Sequence, residues 1–204
     1  MHHTLIRKQL HTRETVTASM FAALILLATS ILKIQTPSFG YIHPGDAFVL
    51  LAGLFLGPLT GGLAAGIGSA LSDLLGGYAI WVPGTFLVKF LTAASAAQLL
   101  RILQKLHTAK KDLPEKKETG TRGFPESASV IAACVIGELV MMAGYFVCDI
   151  AVVAISNGSF TRAGFAAAAA LAVAGLPFNA VQGAAGIVLA APLYSVFRRI
   201  IILH

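Results

Sequence analysis

Residues 41–90 read YIHPGDAFVLLAGLFLGPLTGGLAAGIGSALSDLLGGYAIWVPGTFLVKF. The stretch is apolar and glycine-dense, and Gly57-Pro58 and Pro83 interrupt it. Its few acidic, basic or aromatic polar groups are Tyr41, His43, Asp46, Asp73, Tyr78, Trp81 and Lys89. In a lipid-embedded segment a charge near the bilayer centre costs roughly 3 kcal/mol or more, so the groups that remain need a reason. What they face is the question that decides the fold and the function.

The whole chain supports the membrane reading. Of its 204 residues 56% are hydrophobic and 12% charged, where a soluble domain carries about 25% charged residues. The apolar residues fall in runs of about twenty, the length of a membrane span. The two cysteines, Cys134 and Cys148, lie in one apolar segment and read as small core residues, not as a disulfide framework. The net charge of +6 does not point to nucleic acid. Its cations gather at Arg7, Lys8 and Arg13, from Arg101 to Arg122, and at Arg198-Arg199, flanking apolar runs as orientation signals do.

The predicted fold class is all-α: an integral membrane bundle of six transmembrane helices in a single domain, with N- and C-termini cytoplasmic. The spans are expected at about residues 15–34, 46–57, 58–76, 83–104, 127–155 and 177–199, with a cytoplasmic loop at 105–126. The first run is too long for a signal-peptide core and no small-residue cleavage site follows it. Asp46 is placed to cap the second helix. That helix is too short to cross alone, and Gly57-Pro58 breaks or kinks it before the third. Residues 160–174 are expected as a short surface helix or an upright extension, and Pro177 suits the first turn of the sixth span. Six spans put the three basic clusters on one side, cytoplasmic by the positive-inside rule.

With that topology the polar groups inside the bundle crowd into its outer half. A proton or ion path needs them through the full depth, whereas a pocket that opens outward needs them only there. Glu138, Met142, Tyr145 and Asp149 share one face of the fifth span, and Asn179 and Gln182 share one face of the sixth. The candidate substrate-binding residues are Glu138, Asp73, Lys89, Tyr78, Trp81, Tyr145, Asn179, Gln182, His43 and Tyr41. Each has a structural alternative. Asp46 reads as a cap, Lys89 as the partner of Asp73 or Glu138, Trp81 and Tyr78 as interfacial belt residues, and His43 as a solvated loop residue. Glu138 is the hardest to explain structurally and is the expected deep anchor. Carboxylate in excess over Lys89 favours a neutral or weakly basic flat heterocycle with N–H or O–H donors and disfavours a phosphate ester.

His43-Pro44-Gly45-Asp46-Ala47, then Gly57-Pro58, Gly66, Gly68-Ser69-Ala70, Asp73, Gly77-Tyr78 and Trp81-Val82-Pro83-Gly84-Thr85 with Lys89, resemble the substrate-binding S components of energy-coupling factor (ECF) vitamin transporters. The similar branch is the riboflavin-type one, with its predicted pyridoxine, hydroxymethylpyrimidine and queuosine-precursor carriers. The motif order covers the first four spans; the last two match in layout. The resemblance implies a high-affinity binding subunit in the bacterial plasma membrane that captures a vitamin or heterocyclic precursor outside the cell. It implies docking on a T component driven by two ATPase subunits, in a bundle surrounded by membrane lipid; the flanking placement of the cations has already set nucleic acid aside as a partner. It also implies a lid in the loop after the first span. Ala18 and Ala22, four apart on the first span, match the family's small-residue contact with the T component.

The chain carries no P-loop, catalytic motif, metal-ligand cluster or cofactor motif. The alternatives are a self-contained small-molecule permease, which the polar-poor inner half disfavours, and an intramembrane enzyme. A serine protease needs a histidine inside a span, and none is there.

Overall fold

The computed structural model describes residues 2–35, 41–111, 126–158 and 160–202. Six helices make the bundle: α1 (His2–Ile31), α2 (Gly45–Leu56), α3 (Pro58–Leu75), α4 (Val82–Lys111), α5 (Glu126–Ser156) and α6 (Arg162–Ile202). Two short strands, β1 (Ile34–Gln35) and β2 (Tyr41–Ile42), pair antiparallel after α1, with Ile34 opposite Ile42 and Gln35 opposite Tyr41. From sequence, Ile34 closes the first span and Gln35, Tyr41 and Ile42 fall in a loop, so the ladder is not anticipated; residues 36–40 of the expected lid, and residues 112–125 of the expected cytoplasmic loop, lie outside the described residues.

Four helical stretches among the described residues are long and apolar enough to cross a membrane: Thr12–Ile31, Ala79–Ala109, Glu126–Ser156 and Arg162–Arg199. α2 has 12 residues, about 18 Å of helix against about 30 Å of hydrocarbon. The chain breaks after it because Gly57 takes φ 84° and Pro58 opens α3, where its missing N–H costs nothing. The outer surface is apolar in stripes. Leu59, Leu63, Ile67 and Leu71 on α3 are exposed at helical spacing, as are Met20, Leu24 and Leu27 on α1. A surface of that kind suits lipid rather than water.

Close approach of α3 to α4 depends on missing side chains. A Cβ at Gly62 would meet the Phe90 ring at 2.8 Å, and one at Gly66 would meet the Phe86 ring at 2.9 Å. Phe86 and Phe90 stack with centroids 6.4 Å apart, so α3 lies flat on a two-ring ledge. Leu50, Leu51, Ala96, Ala133, Cys134 and Tyr194 form the main core, and both cysteines are free.

Two expectations are corrected. Pro177 does not start a helix: α6 begins at Arg162 and runs through Pro177 and Pro192 as one element of 41 residues. Neighbouring helices in a bundle hold such a helix together despite a missing hydrogen bond at each proline. From Arg162 onward, residues 162–174 are not a separate short helix but the first turns of α6. Asp46 is not a cap either. Pro44 occupies that position without a side-chain hydrogen bond, and the Asp46 carboxylate turns into the bundle.

The ends of the bundle differ in chemistry. One end holds the Gly57-Pro58 break, with Arg101 beside Gly57 and Thr60 donating to Glu14 at 2.6 Å. Glu126 at the start of α5 pairs there with Arg198 near the end of α6. The other end holds the β1–β2 ladder, Lys33 and the turn at Gly76-Gly77, where Gly77 takes φ 83°.

Candidate functional site

A cavity opens at the end that holds the strands. Its empty space, mouth included, is about 680 Å³, and its walls come from α1, β2, α3, α4, α5, α6 and the 3-10 turn Ala79–Trp81. Eight of the ten residues expected from sequence line it: Tyr41, His43, Asp73, Tyr78, Trp81, Tyr145, Asn179 and Gln182. Thr29, Ile42, Ser69, Thr85, Asp149, Gly175 and Phe178 complete the wall.

The aromatic groups gather at the mouth. Tyr41 and Tyr78 lie with centroids 5.1 Å apart, and Tyr41 and His43 at 5.4 Å. The Lys33 ammonium sits 4.4 Å from the Tyr41 centroid and 5.6 Å from that of Tyr78, and it donates to the Ser72 carbonyl at 3.3 Å. The Tyr41 hydroxyl donates to Asp73 Oδ1 at 2.5 Å. Burial first, and then the Asp73 carboxylate, push the Tyr41 phenol well above its ordinary range, so it remains a donor. This bond ties β2 to α3 across the opening.

His43 is buried rather than solvated. Its Nδ1 accepts from the Gly45 N–H at 3.0 Å, which leaves the ring proton on Nε2. Burial pulls its pKa down to about 3, so the ring is neutral at physiological pH. Gly45 is required here, because a Cβ would meet His43 Nδ1 at 2.7 Å.

Beneath the cavity lies a charged layer. Lys89 and Asp46 form an ion pair with both side chains at 0% exposure. Gln182 Nε2 donates to Asp46 Oδ2 at 2.7 Å, and Gln182 Oε1 accepts from the His43 N–H at 3.2 Å. Gln182 therefore braces α6 against both the β2–α2 connection and the ion pair. Lys89 lies 5.1 Å from the Tyr145 centroid, and the Tyr145 hydroxyl is 3.5 Å from Thr85 Oγ1.

Lys89 and Glu138 are the two expected site residues that do not line the cavity. Lys89 is consumed by Asp46, a partner the sequence reading did not consider; Asp73 and Glu138 were the expected ones. Glu138 packs on α6, where a Cβ at Gly183 would meet its Oε2 at 3.1 Å and one at Gly186 its Oε1 at 2.9 Å. Both Glu138 oxygens are buried without a hydrogen-bond partner. Among residues missed from sequence, Ser69 had a readable signal, since it lies four before Asp73 on one helix face. Thr29 had none. Among the described residues no group of three or more His, Cys, Asp or Glu side chains is arranged to hold a metal.

Away from the cavity, Glu14, Ala18, Ala22, Thr60, Leu63 and Ile67 line an open groove between α1 and α3. The two helices touch where a Cβ at Gly68 would meet Ala22 Cα at 3.1 Å.

An end-on cavity with an aromatic mouth and hydroxyl and carboxylate walls, backed by a buried ion pair and set in an apolar bundle, belongs to a membrane protein of the substrate-binding kind. The family model described as "ECF-type riboflavin transporter, S component" matches residues 9–199, and the chain belongs to that family. The family is one of transporter components, not of enzymes. A solved S component of a bacterial ECF transporter matches with a TM-score of 0.61 at 20% identity, covering 94% of this chain and 98% of that one; at that identity the likeness speaks to the fold. A protein from Pyrococcus woesei, described as an uncharacterized protein in the gap 3′ region, is 39% identical over 66 residues. That match takes in 32% of this chain and 44% of the relative, so the chain spans less than half of the relative's length.

Proposed function

We propose that this chain is the membrane-embedded, high-affinity binding subunit for uptake of a small vitamin or heterocyclic precursor, energised by partner ATPases of an ECF transporter. The observation that carries the reading is the cavity at one end of the bundle, with the buried Asp46–Lys89 pair tied to its wall through Gln182; the polar groups of the sequence crowd toward that end and do not make a path through the full depth. A self-contained permease needs such a path. Family membership supports the transporter role and the partners, a T component and two ATPase subunits.

The ligand is a neutral or weakly basic flat heterocycle. Asp46 cancels Lys89, so Asp73 and Asp149 leave the cavity with carboxylate in excess and repel a phosphate ester. Trp81, Tyr78, Tyr145 and Phe178 supply apolar faces. Pyridoxine, a hydroxymethylpyrimidine, a queuosine precursor of the deazaguanine type and riboflavin are the named candidates. Asp73, at the wall, takes the contact role that the sequence alone gave to Glu138.

The bundle sits in the bacterial plasma membrane as six spans, α2 and α3 included, with the cavity outside and both termini inside. The pairing of Glu126 with Arg198, and Arg101 at the Gly57 break, support this by bringing basic clusters to the end opposite the cavity. Ala18 and Ala22 in the α1–α3 groove are the contact for the T component. Mass spectrometry of the small molecule that copurifies with the protein tests the reading. A flat, unphosphorylated heterocycle is the expected result, and a phosphate ester or a lipid alone would overturn it. For the topology, a cysteine replacing Lys105 in a chain lacking Cys134 and Cys148 should react only from the inner face; labelling in intact cells would refute it.

A further inference from the structure

We propose that Thr29, Ser69 and Asp73 form a recognition subsite for a lactam-type edge of the ligand, an N–H donor beside a carbonyl acceptor. The inference rests on the binding role argued above and assigns the chemistry of one wall of that cavity.

Thr29 and Ser69 are each 1% exposed and line the cavity. Neither hydroxyl has a hydrogen-bond partner. Helical serines and threonines commonly place the hydroxyl on the carbonyl four residues back, as Thr92 does on Val88 at 2.8 Å. Thr29 and Ser69 do not, and an unpaired buried hydroxyl costs about 1–3 kcal/mol. Alanine or valine would pack as well, so the two hydroxyls stand as hydrogen bonds waiting for a partner.

Their placement joins them to Asp73. Ser69 and Asp73 lie four apart on one face of α3. Thr29 on α1 comes to the same level because its neighbour Ser30 meets Ser72 Oγ at 3.0 Å. Asp73 accepts the Tyr41 hydroxyl at Oδ1, and a carboxylate has room for further donors. An ionised carboxylate can only accept, whereas the hydroxyls are free to donate. The wall therefore asks its ligand for a donor and an acceptor side by side. A lactam or imide edge meets both demands, and the aromatic wall of Trp81 and Phe178 admits a flat ring carrying it. A carboxylate or phosphate has no donor and faces the Asp73 charge.

The test is calorimetric titration of the purified full chain with riboflavin and 7-cyano-7-deazaguanine, which carry such an edge. 3-Methylriboflavin, whose edge N–H is replaced, and pyridoxine, which has no lactam, are the comparison probes. The wild-type protein should bind a lactam probe better than its comparison. Thr29→Val and Ser69→Ala should each weaken that binding about 3- to 10-fold, the range of one neutral hydrogen bond. They should leave the ligand-free melting temperature unchanged or raised, because no existing bond is lost. Thr29→Ser should retain wild-type affinity. Lactam binding that survives Thr29→Val and Ser69→Ala overturns the subsite while leaving the binding role intact. So does a parallel fall in ligand-free stability, or pyridoxine as the tightest probe. Binding of no probe to the wild-type chain counts against the cavity's role and the subsite together.

Discussion

Lys89 on α4 and Asp46 on α2 form an ion pair that no solvent reaches, and Gln182 on α6 holds the second carboxylate oxygen of Asp46. Three helices thus meet at one charged point directly under the cavity. A buried pair of this kind is costly to break and adds little net stability over apolar packing. Asp46→Ala or Lys89→Ala strands a charge and should cost about 3–5 kcal/mol. The Asp46→Leu/Lys89→Met double variant should melt closer to the wild type than either single variant. Thermal melts in detergent that placed the double variant lowest would show a different origin.

Glu138 presents the opposite case, a buried carboxylate with both oxygens unpartnered and no place on the cavity wall. Glu138→Gln should change affinity for the copurified ligand by less than about 3-fold, since no bond to ligand is removed. Its melting temperature should stay level or rise, because a buried group whose charged form is costly is replaced by a neutral one of like shape. A loss of tenfold or more in calorimetric affinity would restore Glu138 as the ligand's deep anchor.

Tyr41 closes the mouth through a bond to a carboxylate, a class worth about 1.5–3 kcal/mol. Tyr41→Phe keeps the ring contacts to Tyr78 and Lys33 and removes only the hydroxyl. Ligand should then leave about 10-fold faster or more, with the on-rate little changed. Stopped-flow dissociation at the wild-type rate would mean that the β1–β2 segment does not retain the ligand.

In the α1–α3 groove, Ala18→Trp and Ala22→Trp place a bulky ring where a partner helix needs a small one. Uptake by cells expressing the whole transporter should fall to background, while ligand affinity of the isolated chain stays within about twofold. Normal uptake with both tryptophans present would make this face a lipid-facing surface only. ATP dependence of the uptake, lost when the partner subunits are omitted, separates this reading from a self-contained permease.

Much of this molecule is legible along the chain. Apolar runs of span length, sparse charge and basic flanks mark a helical membrane bundle, because backbone groups in lipid must satisfy one another within the element. Gly57-Pro58 marks the break between α2 and α3 for an equally local reason, a positive φ followed by a residue that cannot donate. Eight cavity residues were readable because polar and aromatic groups are costly in lipid and stand out by their rarity. Pairing was not readable. Asp46 and Lys89 lie 43 residues apart, and Asp46 and Gln182 lie 136 apart. Nothing local distinguishes Asp46 as the partner of Lys89 from Asp73 or Glu138. That choice belongs to helix packing, which also leaves Glu138 against Gly183 and Gly186, off the cavity wall, and brings two ordinary residues, Thr29 and Ser69, to that wall with their hydroxyls unpaired. Composition and spacing determine which side chains cannot face lipid; only the three-dimensional arrangement of the six helices decides which of them face one another and which face the empty space.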